Sequence, residues 1–173
     1  MEYQLPTISQ KVQSLTKVDL KRPKQANLRR AVSTAYYALF HFLVEESCRN
    51  LVGSANEQRT YRDVLARAFE HGAMKDACAS FSGGTLPKGV SKGLPTGFQI
   101  EQTLQEICAV FVDAQEKRHL ADYDRSERFG RSDVQAFIAD VTSAIEKFAR
   151  LAHQNARKFF LASLVTWKTL KAR

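Results

Sequence analysis

The stretch from Asn27 to Asn50 contains neither glycine nor proline, and its apolar residues recur at spacings of three and four. At this period side chains return to one face of an α-helix. The members of the stripe are Leu28, Val32, Ala35, Leu39, Phe42 and Leu43. Because Tyr36 and Phe40 widen the stripe, we predict a long central helix that contacts more than one neighbour.

Polar side chains share the opposite side of this predicted helix. Arg30, Ser33, Tyr37 and His41 again follow one another at steps of three and four. A row of polar groups on a mostly buried helix marks a candidate site, in which His41 would be able to exchange a proton near neutral pH. The alternative is that His41 has a structural role only.

Several other segments have helical patterns, and none shows the alternation of a strand. Helices are predicted over Ser9 to Leu20, over Glu57 to Ala79 with a weak point at Gly72, from near Gln99, and from Ser132 as the N-cap. We therefore predict an all-α fold, an up-and-down bundle of about five helices that forms a single domain over residues 1–173.

The segment from Ser82 to Gly97 interrupts these patterns, since it holds five of the eight glycines and two of the four prolines. Such a composition predicts a flexible loop. One interpretation is a disordered connector, and the other is a flap over a binding site that uses Lys88 and Lys92. A phosphate-binding P-loop is not indicated, because Val90 stands where that motif has its lysine.

The last third of the chain is rich in apolar residues. The helix predicted from Ser132 has an apolar seam, and the pattern extends past Phe159 and Phe160 toward Trp167. These large side chains exceed what one small bundle covers, so we expect a homodimer.

The charge balance favours an anionic partner. Lys and Arg number 26 against 18 Asp and Glu, which gives a net charge of +8. A basic protein of this kind associates with polyanions such as nucleic acid, although solvated helix faces would have the same composition.

Three cysteines, at positions 48, 78 and 108, are too few and too far apart for a disulfide framework or a metal motif. No apolar run approaches the roughly 20 residues that span a bilayer. We expect a cytoplasmic protein with no cofactor, no metal site and no membrane partner.

Arg118 is the residue with the clearest chemical implication. The apolar stripe of the helix from Gln99 runs through Phe111 and Ala114, and its next step falls on Arg118. A charge directed toward a bundle interior requires a partner. Asp122 lies one turn further on and Tyr123 adds a hydroxyl, so we predict an Arg118–Asp122 pair. The pair would either fix helix register or form part of a site.

Two motifs resemble those of one protein family. The segment RRAVSTAYYALFH, residues 29–41, resembles the second-helix signature of HEPN domains. The segment RHLADYD, residues 118–124, is similar to the R-x-x-A-D-Y motif of one HEPN branch. The resemblance covers most of the chain and implies a bundle of four or five helices, often a homodimer. Many HEPN proteins are ribonucleases of toxin or antiviral systems, and others pair with a small nucleotidyltransferase.

The chain departs from the catalytic HEPN pattern at one place. That pattern has a histidine four to six residues after its arginine, and the corresponding residues here are Tyr123, Asp124 and Arg125. Ribonuclease activity would therefore require His41 or His119 as a substitute.

Two functional hypotheses follow from these features. The first is a HEPN-type protein that binds RNA or a nucleotide, with metal-independent ribonuclease chemistry in a toxin–antitoxin or defence system. Its expected catalytic residues are Arg118, Asp122, Tyr123 and His41, and its expected nucleic-acid-binding residues are Arg29, Arg30 and Tyr37. The second is a non-catalytic dimeric interaction module. A small nucleotidyltransferase or an antitoxin is the expected protein partner.

Overall fold

The computed structural model describes residues 24–152 and 155–172, and all regular structure within these ranges is helical. The α-helices are α1 (Gln25–Val52), α2 (Arg59–Leu65), α3 (His71–Ser82), α4 (Lys88–Ser91), α5 (Gln102–Tyr123), α6 (Arg131–Arg150) and α7 (Asn155–Lys171). Two 3₁₀ helices, Asn56–Gln58 and Ala66–Ala68, flank α2. The all-α prediction is confirmed, while the helix predicted over Ser9 to Leu20 lies outside the described residues.

Helix α1 packs against α5, α6 and α7, and α5 packs against α1, α3 and α6. Helices α1 and α5 are antiparallel, because Arg29 near the start of α1 reaches the carbonyl of Ala121 near the end of α5. Helices α5 and α6 are also antiparallel, since Lys147 near the end of α6 pairs with Glu106 near the start of α5. These pairings give the predicted up-and-down arrangement.

Helices α3 and α7 form the other side of the bundle. Arg157 at the start of α7 pairs with Glu46 near the end of α1 at 2.8 Å, so α7 runs opposite to α1. Lys171 at the end of α7 lies 3.6 Å from Asp76 of α3. Helix α3 therefore runs parallel to α1 and antiparallel to both α5 and α7.

One continuous core joins the five long helices. The predicted stripe of α1 is buried in full, and the stripe of α5 is buried from Leu104 to Ala114. All three cysteines are buried and free. Among the described helices none is long and apolar enough to cross a membrane.

The helix predicted over Glu57 to Ala79 is not continuous, so this prediction is wrong. The chain is extended at Phe69 and Glu70, and this break separates α2 and its flanking turns from α3. The break in the helix is explained by packing, because Phe69 is buried in the core. Gly72, the predicted weak point, lies inside α3.

Ser132 is not the N-cap of α6, which also corrects the prediction. Helix α6 begins at Arg131 after Gly130. The Asp133 carboxylate lies over Gly130, where a Cβ would approach Oδ2 to 2.5 Å. A larger residue at position 130 would therefore require the Asp133 side chain to move.

The segment from Ser82 to Gly97 is a loop with an ordered centre. It contains the short helix α4, and Leu86 and Val90 are buried against the core. The composition predicts the turns of this segment, but it does not indicate that Leu86 and Val90 are buried.

The helix from Arg131 does not continue into the C-terminal tail. It ends at Arg150, and α7 is a separate helix that folds back along α1 and α3. Phe160 and Trp167 are fully buried, with ring centroids 5.0 Å and 6.2 Å from that of Phe81. The chain therefore covers its own apolar tail, and the tail gives no reason for a dimer.

Arg29 fastens the end of α5 to the start of α1. Its guanidinium donates to the carbonyls of Ala121, Asp124 and Glu127 at 2.9, 2.7 and 2.6 Å, and to that of Leu120 at 3.3 Å. A cation is favourable at the C-terminal end of a helix, where the last carbonyls have no helical partner.

We expect Arg29→Met to lower the free energy of unfolding by about 2 kcal/mol, because hydrogen bonds from a charged donor would be lost while water replaces part of them. Arg30→Met is the matched control. Arg30 is exposed and pairs with no described residue, so its change should stay within about 0.5 kcal/mol. Urea unfolding measures both. Equal effects of the two variants would contradict the role given to Arg29.

Candidate functional site

Arg118 lies in the last turns of α5, against the middle of α1 and near the start of α3. Its side chain is 16% exposed, and Nε lies 2.7 Å from Oδ2 of Asp122. Its Nη2 donates a 2.8 Å hydrogen bond to the Tyr37 hydroxyl across the α1–α5 interface. The predicted pairing of Arg118 with Asp122 is confirmed, and the structure adds Tyr37 as a second partner.

Aromatic rings surround the guanidinium. Its central carbon lies 5.4 Å from the ring centroid of Tyr37, 5.6 Å from that of Tyr123 and 5.9 Å from that of Tyr36. Ring faces attract cations, most strongly where water is excluded. Partial burial alone would lower the pKa of Arg118, but the Tyr37 hydrogen bond and the Asp122 carboxylate raise it overall. Arg118 is therefore a permanent cation.

Asp122 joins the two helices a second time. Its Oδ1 accepts a 2.6 Å hydrogen bond from the Ser33 hydroxyl of α1, while Oδ2 contacts Arg118. Both carboxylate oxygens are thus engaged. Asp122 thus orients Arg118, and its predicted catalytic role stays a prediction.

His71 belongs to the site, although its sequence context does not indicate this. Its Nδ1 lies 2.6 Å from the Tyr36 hydroxyl, and its ring centroid lies 4.1 Å from that of Phe40. Burial, together with the charges of Arg118 and His41, lowers the pKa of His71. Burial also raises the pKa of Tyr36. The pair is therefore neutral near pH 7.

An open cleft of about 470 Å³ adjoins Arg118. Its lining residues are Lys75, Gln115, Glu116, Arg118, His119 and Leu120. Lys75 of α3 pairs with Glu116 at 3.0 Å. Arg118 and His119 line the same cleft, although adjacent residues differ by about 100° around a helix. Helix α5 ends at Tyr123, so this cleft lies in its last turns.

The other predicted site residues lie around this cluster at different depths. His41 is exposed and stacks on Tyr37, with ring centroids 6.1 Å apart and planes at 23°. Tyr123 is 65% exposed and contacts the His119 ring, with centroids 4.9 Å apart. Arg30 is exposed, whereas the Arg29 guanidinium is engaged by backbone carbonyls. Arg118, Asp122, Tyr123, Tyr37 and His41 are thus brought together, and Arg29 and Arg30 lie one to two turns away along α1.

The cluster combines a fixed cation, a second cation in Lys75, several hydroxyls and three histidines. This set can bind an anion and move a proton. Within the described ranges, no group of three or more His, Cys, Asp or Glu side chains is arranged to hold a metal ion. A second cleft, of about 530 Å³, lies between the Gly/Pro-rich segment and the start of α5, but no charged side chain lines it.

Comparison of the chain with protein-family models, with curated proteins and with solved structures gives no match. The fold and the site define an all-helical bundle with a cationic, aromatic cluster at one end. Its function has to be inferred from the residues of that cluster.

We expect the stability of the protein to fall as pH drops below about 6.5, and His71 to contribute to this loss. The pKa of His71 in the folded state lies below its ordinary value of 6.5, so the unfolded chain binds more protons in this range. His71→Gln should have a smaller difference in melting temperature between pH 7.5 and pH 5.5 than the parent. His119→Gln is the control, and an equal slope for the parent and the His71 variant would contradict the assignment.

Proposed function

We propose that the chain is a HEPN-type RNA-binding protein whose Arg118 cluster holds a phosphate group. The observation that carries this proposal is which nitrogens of the Arg118 guanidinium have protein partners. Nη2 donates to the Tyr37 hydroxyl, and Nε lies 2.7 Å from Oδ2 of Asp122 in an ion pair without the angle of a hydrogen bond, while Nη1 bonds no described residue. Because Arg118 lines the open cleft, its guanidinium can accept a ligand there as a further partner.

The surroundings of Nη1 favour a phosphate of RNA or of a nucleotide. The planar guanidinium matches the oxygens of a phosphate, and Lys75, which pairs with Glu116, places a second ammonium donor on the cleft wall. The exposed ring of Tyr123 beside the cleft provides a surface for stacking a base, as single-stranded RNA recognition uses. The HEPN resemblance of the two motifs points in the same direction.

A ribonuclease reaction is the chemistry that this set of groups supports. A histidine would take the proton of a ribose 2′-hydroxyl as its oxygen forms a bond to the adjacent phosphorus. The bond from phosphorus to the 5′ oxygen would break, that oxygen would take up a proton, and a 2′,3′-cyclic phosphate would remain. Arg118 would stabilise the charge that develops on the phosphate oxygens. His119 lines the cleft, and His41 reaches the site through Tyr37.

We expect Arg118→Gln to weaken binding of a fluorescent 12-nucleotide single-stranded RNA by at least tenfold in anisotropy titrations. Loss of one charge-assisted phosphate contact accounts for an effect of this size, about 1.4 kcal/mol or more. Arg59→Gln is the matched control, because Arg59 is exposed at the opposite end of the bundle and pairs with no described residue. Its RNA affinity should equal that of the parent.

Thermal unfolding separates binding from folding in this test. The Asp122 side chain is 29% exposed and keeps its Ser33 hydrogen bond in Arg118→Gln, so a loss of only about 1 to 2 kcal/mol in stability is expected. A variant that folds and binds RNA as tightly as the parent would overturn the proposal. Cleavage of the same RNA by the parent and by His119→Asn and His41→Asn then tests the ribonuclease reaction.

A second candidate function is an interaction module that works as a homodimer or with a protein partner such as a nucleotidyltransferase or antitoxin. The observation in its favour is that Leu120 and Tyr123 are exposed side by side on the last turn of α5, at 36% and 65%. Exposed large apolar residues on one helix face are typical of association surfaces.

We expect sedimentation of the parent at micromolar concentrations to report a dimer, and Leu120→Glu to shift it toward the monomer, because a charge would be buried in the contact. Val64→Glu is the control, since Val64 is an apolar residue of α2 that is even more exposed, at 62%. A parent that sediments as a monomer would count against a homodimer and leave only a heterologous partner for this surface.

A further inference from the structure

Five exposed cations are gathered at the end of the bundle that carries the Arg118 cluster. They are Lys24 and Arg30 at the start of α1, Arg125 and Arg128 in the loop between α5 and α6, and Arg131 at the start of α6. Within residues 24–152 and 155–172 none of the five forms an ion pair. We refer to them as the basic end.

The loop that carries Arg125 and Arg128 is held against α1. The Gln25 side chain donates to the Phe129 carbonyl at 2.9 Å and accepts from the Phe129 amide at 3.0 Å. Arg29 donates to the carbonyls of Asp124 and Glu127 and lies over the Phe129 ring. Cations from three separate elements are thereby kept at one end.

Nearby carboxylates offset this charge only in part. Asp122 is paired with Arg118, and the Asp124 carboxylate accepts hydrogen bonds from the amide and hydroxyl of Ser126. The Asp133 carboxylate lies over Gly130, and Glu127 is half-buried. Since Asp122 is paired with Arg118, five exposed cations face three remaining carboxylates, and the outer surface of the basic end keeps an excess of positive charge.

The basic end is continuous with the Arg118 cluster. Arg30 precedes Ser33 by about one turn on α1, and Ser33 bonds Asp122, the partner of Arg118. Arg125 follows the same α5 end that carries Asp122 and Tyr123. A strand with one phosphate at Arg118 would have its neighbouring phosphates within reach of this surface.

We propose that the basic end binds the sugar-phosphate backbone of an RNA strand whose neighbouring phosphate occupies the Arg118 cleft. This inference rests on the proposed function and narrows its ligand from RNA or nucleotide to a strand of several nucleotides. Phosphate contacts of this kind add affinity without reading sequence.

The test compares the parent with Arg125→Gln/Arg128→Gln, using a 12-nucleotide single-stranded RNA and AMP as probes over a range of salt concentrations. Each phosphate contact on a single strand contributes about 0.7 to the slope of log affinity against log salt, so the double variant should lose about 1.4 of that slope. AMP affinity should stay unchanged, because the Arg118 cleft is intact. Arg59→Gln/Lys158→Gln removes two exposed charges from the opposite end, and we expect it to keep the parental RNA slope.

Lys24→Gln/Arg30→Gln is a second variant on the α1 side of the basic end, and circular dichroism checks that both variants fold. If both variants kept the parental salt slope, this inference would be overturned. The proposed function would stand as long as Arg118→Gln still weakened RNA binding at least tenfold. Failure of the parent to bind any RNA would overturn both. If polyglutamate bound the parent as tightly as RNA does, and the variants weakened the two ligands equally, the surface would be assigned to an acidic protein. That result would also overturn the inference.

Discussion

A charged guanidinium that is mostly withdrawn from water must be matched by fixed partners, and Arg118 imposes this condition on the α1–α5 interface. Its partners are Tyr37 on α1 and Asp122 on its own helix, and Asp122 bonds Ser33 on α1 in turn. Arg29 adds the carbonyls at the end of α5. Residues 29, 33 and 37 are spaced by four, so a polar ladder runs along one face of α1. A shift of one residue between the helices would separate these partners, and the ladder thereby fixes their register.

The sequence predicts this interface unusually well because its signals are local. The stripe that ends on Arg118 and the position of Asp122 one turn later are visible within one helix, and the polar row on α1 is visible within another. The predicted row began with Arg30, however, whereas Arg29 is the residue that contacts α5. Arg29 and Arg30 are adjacent and both lie near the edge of the polar face of α1, so the spacing pattern alone does not decide which of them contacts α5.

His71 and the C-terminal helix show what the sequence does not provide. His71 reaches Tyr36 only because the chain breaks at Phe69 and Glu70 and starts α3 beside α1, and this break depends on burying Phe69 in a core assembled from distant segments. Helix α7 likewise packs Phe160 and Trp167 against Phe81, which lies far away in the sequence. The large apolar residues of the tail, which led us to expect a dimer, are thus covered by the chain itself. The exposed residues Leu120 and Tyr123 lie beside the Arg118 cluster, so any association surface there would also border the site.

The histidines of the cluster are suited to different tasks. Protonation of His71 is opposed by burial and by the neighbouring Arg118 charge, and its Nδ1 is already engaged with a Tyr36 hydroxyl that keeps its proton. A proton acceptor in catalysis has to carry a positive charge after the transfer, and here that charge would form beside a permanent cation. His71 is therefore best suited to hold Tyr36 and the base of the cleft in place. His119 and His41, in contrast, are exposed to solvent. Of these two, His119 lines the cleft itself, so in the reaction that we propose it is the better placed to receive the proton.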